Sequence, residues 1–115
     1  MALNIINDLS AQKCVACEGG VAPLDREEAT ILLKQVPEWK LSLDGKSIKK
    51  NYTLKNFMEI IHFVNKVAEI AESEGHHPDL HIADYRNLEI DLSTHAIGGL
   101  SQNDFIMAAK IDKLS

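Results

Sequence analysis

Four of the chain's five histidines fall between His76 and His95, and two of them are adjacent in Gly75-His76-His77-Pro78. Imidazole both gives and takes protons near neutral pH, and it is also the commonest metal ligand. A histidine cluster therefore points to acid/base catalysis or to a metal site. Pro78 pushes His77 out of helical geometry into an extended one. Gly75 is the residue type that ends helices. The two imidazoles thus belong to a tight loop at a helix C-terminus. There the dipole, together with Glu72 and Glu74, favours a protonated ring.

The flanking elements decide which groups meet. Residues 54–74 carry Phe57, Ile60, Ile61, Val64, Val67, Ala68 and Ala71 at helical spacing, with His62 on the solvent face. Thr53 is the expected cap of this helix. Leu80 to Tyr85 reads as a strand, Arg86-Asn87 as a short turn, and Leu88 to Thr94 as a strand with one buried face. Antiparallel pairing of these two strands returns His95 toward His77 and Pro78. Three imidazoles then converge at one end of a sheet, beside a helix end. His81 points away from the face of Leu80 and Ile82. Ser101-x-x-Asp104 opens a last helix as a capping box.

Upstream, Asp25-Arg26-Glu27-Glu28 opens a helix with Ala29, Leu32, Leu33 and Val36 as its apolar stripe, ended by Pro37. Trp39 to Leu43 alternates as a strand. Asp44-Gly45 signals a two-residue hairpin turn, and Lys46 to Tyr52 is the return strand. The order α-β-β-α-β-β-α implies a two-layer α+β fold: a four-stranded antiparallel sheet with helices packed on one face. Open sheet edges make a homo-oligomer plausible. Residues 1–24 read as a leader lying on a single domain of residues 25–115.

With 115 residues, 45% of them hydrophobic, the chain can bury a core without disulfides. A net charge of -5 argues against direct nucleic-acid binding. No apolar run reaches the roughly 18 residues of a membrane span, and no signal peptide is legible, so the cytoplasm is the expected location. Cys14-x-x-Cys17 has the spacing of half a zinc site or of a redox pair, but the other half is absent, so a pair of leader thiols is the plainer reading.

Three converging histidines suit zinc or metal-free proton transfer. Adjacent histidines diverge and are awkward ligands, and no HExxH-type spacing is present. Acid/base work is favoured.

These residues resemble a known family. Glu72-x-x-x-His76-His77-Pro78, then Tyr85, Thr94-His95, Gly98-Gly99-Leu100-Ser101 and Asp104, are similar to the signature of the pterin-4a-carbinolamine dehydratases. The likeness runs from about Leu24 to the C-terminus. It implies dehydration of a 4a-hydroxytetrahydropterin to the quinonoid dihydropterin, in support of tetrahydropterin recycling, by a homodimer or homotetramer with neither metal nor cofactor. On this reading His76 is the main acid/base group, His95 its partner, and His77 orients the pterin. Glu72 tunes His76, Pro78 and Thr94 shape the loop and strand end, and Asp104 supports the site as a helix cap. Tyr85 is either a pocket wall or a core aromatic. Two other readings stand beside this one: a protein-interaction and dimerisation module on the same scaffold, and a metal-dependent hydrolase or lyase.

Overall fold

The structure, a computed structural model, describes residues 8–15 and 22–114. Cys17 lies outside them. The elements are α1 (Arg26–Leu33), β1 (Lys40–Leu41), β2 (Ile48–Thr53), α2 (Phe57–Glu74), β3 (Asp79–Ala83), β4 (Asn87–Leu92) and α3 (Gln102–Asp112). All strand pairings are antiparallel, in the order β1-β2-β4-β3. The expected α+β architecture is therefore present.

Alternation along β4 buries Leu88, Ile90 and Leu92 and turns Glu89 and Asp91 to the other face. Ile60, Phe63, Val67 and Ala71 of α2 belong to the same core as the β4 residues, as do Phe105, Ile106, Met107 and Ile111 of α3. Each such large side chain contributes roughly 1.5–3 kcal/mol on burial. At the end of α3, Asp112 accepts a hydrogen bond from the Trp39 indole N–H at 3.0 Å and pairs with Lys50 Nζ at 2.9 Å, tying the first hairpin to the helix layer. The leader joins the same core through Leu9, which is 1% exposed.

Local chemistry shifts several boundaries. The first hairpin turn is longer than two residues. Leu41 pairs with Ile48, and Ser42 and Asp44 side chains hold the intervening loop by accepting from the Lys46 and Ser47 amides. Thr53 does not cap α2. It stays in β2, opposite Asn87, and its hydroxyl donates to Asn87 Oδ1. The cap is Asn56, whose side chain accepts from the Glu59 N–H. The second hairpin turns at Asp84 and Tyr85 rather than at Arg86-Asn87. Ala83 pairs with Asn87, and Asp84 and Tyr85 take left-handed φ values of 50° and 55°. β4 ends at Leu92. His95 starts a 3-10 turn, His95–Ile97, instead of ending the strand, because Thr94 bridges to Gly99 and draws the chain into a tight loop.

Candidate active site

The site begins where α2 stops. Gly75 has φ 66°, a left-handed conformation that costs glycine no steric strain, and the amides of Gly75 and His76 both reach back to the Ala71 carbonyl. This single left-handed residue reverses the chain, so His76 leaves the line of the helix and meets the first turn of α3. The His76 side chain is 12% exposed and its Nε2 lies 2.6 Å from Asp104 Oδ1.

Asp104 has no exposed surface. Its other oxygen, Oδ2, accepts from the Thr94 hydroxyl at 2.8 Å and from the Ser101 N–H at 3.0 Å. The Thr94 and Ser101 hydroxyls are themselves 2.8 Å apart. A buried carboxylate needs such partners, and its place in the first turn of α3 adds the helix dipole. The predicted capping box is there, and the same side chain also holds the histidine.

Glu72 has a different partner from the one expected. Its Oε2 lies 2.6 Å from His77 Nε2, not beside His76. The two adjacent imidazoles thus take different carboxylate partners. Both members of the His77–Glu72 pair are well exposed, at 62% and 78%, so the pair contributes at most about 1 kcal/mol.

His76, His77 and His95 open onto one cleft of about 250 Å³. The strand end adds Ser93, Thr94 and Ala96 to its wall. Pro78 lies at the entry to β3, directly after His77. Tyr85 is 59% exposed in the β3–β4 turn, at the opposite end of the hairpin from His95, and is neither in the core nor on the cleft wall of this chain. His62 is exposed, as its place on the polar face of α2 requires.

Two wall residues carried no local signal in the sequence: Val15 of the leader and Asn103 of α3. They are 88 positions apart and joined by hydrogen bonds. Next to them, Cys14 is half-buried. Burial, with Glu74 beside it, pushes its thiol up to about 12. Such a thiol is a poor nucleophile and a poor metal ligand.

Among the described residues, His81, Glu89 and Asp91 form a group whose donor atoms lie within 4.8 Å of one another. His81 of β3 faces Glu89 of β4, Asp91 lies two positions further along β4, and none lines the cleft. Burial and the adjacent Glu89 push the Asp91 carboxyl up to about 6, against the pull of His81. No helix of the described chain is long and apolar enough to cross a membrane.

A family model described as pterin 4 alpha carbinolamine dehydratase matches residues 22–114. A Halorhodospira halophila protein named for that activity is 48% identical over 92% of this chain and 96% of its own length. An Arabidopsis thaliana relative, pterin-4-alpha-carbinolamine dehydratase 2, mitochondrial, is 46% identical over 93% of this chain and 59% of its own. Among solved structures, a Brucella melitensis protein described as a transcriptional coactivator/pterin dehydratase superposes with a TM-score of 0.75. It is 26% identical, over 80% of this chain and 97% of that one. A pterin dehydratase-like protein identified as a RuBisCO assembly factor in the alpha-carboxysome shares the fold at a TM-score of 0.58 and 19% identity, over 67% of this chain and 88% of that one.

Proposed function

The chain belongs to the pterin 4 alpha carbinolamine dehydratase family, a family of hydro-lyases, and from that premise we propose how its own residues carry out the dehydration. The substrate is a 4a-hydroxytetrahydropterin and the products are quinonoid dihydropterin and water. The observation that carries the reading is the hydrogen bond between His76 and the fully buried Asp104.

That bond engages His76 Nε2 and leaves Nδ1 to exchange a proton with substrate. A carboxylate so placed holds one tautomer and stabilises the imidazolium that forms on protonation. The reaction needs one proton delivered and one removed. The protonated imidazole gives its proton to the 4a-hydroxyl, and the C4a–O bond breaks. The N5 electron pair forms the N5=C4a double bond, water departs, and the N5 proton passes to a neutral imidazole. His76 is the acid/base group and His95, across the cleft, is its partner. His77, braced by Glu72, orients the pterin. Asp104 holds His76 and Thr94 holds Asp104, Pro78 fixes the backbone after His77, and Tyr85 takes no part in this chain's own cleft. The step consumes no electrons, so the residues present suffice for it.

The protein works as a cytoplasmic homo-oligomer in tetrahydropterin recycling. The edge position of β3 and the exposed Ile82 (41%) support association between copies. A second reading, an interaction module on this scaffold, draws support from the two structural relatives described as a coactivator and as an assembly factor. The retention of all three cleft histidines favours the enzyme.

Generating the 4a-hydroxypterin in situ and following loss of its absorbance tests the proposal. Wild type should accelerate dehydration. His76→Ala should lose on the order of 10²-fold or more in kcat, and His77→Ala should act mainly on KM. Near-normal turnover of both His76→Ala and His95→Ala would end the acid/base assignment. Wild type without effect on the carbinolamine would favour the interaction module.

A further inference from the structure

The part of the leader from Leu9 to Val15 is fastened to the domain at several points. Leu9 is buried in the core. The Ser10 carbonyl accepts from Lys110 Nζ at 3.0 Å. The Cys14 N–H donates to Glu74 Oε1 at 2.8 Å, and the Cys14 thiol lies 3.6 Å from the Asn103 carbonyl. The side-chain amide of Asn103 then grips Val15 from both sides. Its Oδ1 accepts from the Val15 N–H at 3.0 Å, and its Nδ2 donates to the Val15 carbonyl. This two-way amide bond copies a strand pairing and sets the Val15 backbone in one position.

Asn103 immediately precedes Asp104 in the chain. One helical turn of α3 therefore holds both His76 and the leader. The consequence is a leader residue in the wall of the catalytic cleft. Val15 is 70% exposed although its backbone is pinned. An exposed apolar residue on a fixed backbone, in the wall of the cleft that His76, His77 and His95 also line, has surface to offer a ligand. The other side chains of that wall are imidazoles, hydroxyls, an amide and the single methyl of Ala96. A pterin is a flat heteroaromatic ring with hydrogen-bonding edges and apolar faces. The histidine side of the cleft suits the edges, and Val15 is the one branched aliphatic group available to a face.

We propose that the leader is part of the substrate pocket and that Val15, fixed by Asn103, is a specificity-determining contact for the pterin ring. This rests on the dehydratase reading of the His76–His95 cleft. Val15 takes no part in proton transfer. It acts on affinity and on the fit of the ring.

Val15→Gly and Val15→Asp test this, because an exposed position tolerates both without loss of the fold. The expected result is a KM for the carbinolamine raised roughly tenfold or more, as removal of an apolar contact produces, with kcat nearly unchanged. The melting temperature should stay close to that of wild type. A second readout does not depend on turnover. Carbethoxylation of the poorly exposed His76 by diethyl pyrocarbonate, followed by peptide mass spectrometry, should run several-fold faster in Val15→Gly, with the exposed His95 as internal reference, because Val15 and His76 line the same cleft. Unchanged KM and unchanged modification rates in both variants would overturn the proposal. Wild type inert toward the carbinolamine would defeat the dehydratase reading, and the modification rates alone would then decide whether Val15 walls the cleft.

Discussion

Asp104 and His76 meet at 2.6 Å, and Asp104 is fully buried. A side chain that the sequence marks as a helix cap is thereby also the brace of the central histidine. Asp104→Asn keeps the shape and can still accept from Ser101 and Thr94, but it removes the charge. The expected outcome is a kcat lower by about 10²–10⁴-fold with a small change in KM. Steady-state kinetics with a thermal melt as folding control checks this. A fall in melting temperature without a matching fall in kcat would leave Asp104 as a cap alone.

Gly75 offers a test of the chain reversal. A Cβ there would meet nothing within 4 Å, so Gly75→Ala adds no clash. The whole cost is the left-handed φ of 66°, about 1 kcal/mol. Denaturant melts should show that loss of stability. Because His76 and His77 follow directly, kcat should drop by more than the stability change explains.

Asp91 should make the protein's stability depend on acidity. Its folded-state value of about 6 lies above the ordinary 3.8. The native state therefore binds more protons than the unfolded state between these values. Stability from this group falls as pH rises from about 4 to 6, and the penalty is fully present above that. Asp91→Asn should raise the melting temperature by a few degrees at pH 7 and lose that advantage near pH 4. Melting curves of both proteins across this range would show it, and a gain that does not depend on pH would refute the assignment.

Cys14 should be inert while the protein is folded. A thiol at about 12 instead of 9.0 carries roughly 10³-fold less thiolate at a given pH. In a Cys17→Ser background, iodoacetamide at pH 8 should label Cys14 far more slowly in the native protein than in urea. Equal rates would mean that the leader does not stay docked against Glu74 and Asn103.

What the sequence by itself determined is what lies within a turn or one strand. The 3.6-residue spacing of α2, the alternation of β4, the Gly75 stop and the Ser101–Asp104 cap all follow from hydrogen bonds and burial among near neighbours. Convergence of the three histidines was legible as well, because an antiparallel hairpin must return its end to its start. Local turn chemistry was harder to read. Thr53 and Asn56 are both good caps, and only the pairing of Thr53 with Asn87 excludes the first. Tertiary structure alone decided the partners. His76 goes to Asp104 and His77 to Glu72 because adjacent side chains beyond the helix end diverge, and the first pair spans 28 positions of sequence. The docking of Val15 on Asn103 spans 88, and no local pattern encodes a contact made only when the core around Leu9 and α3 closes.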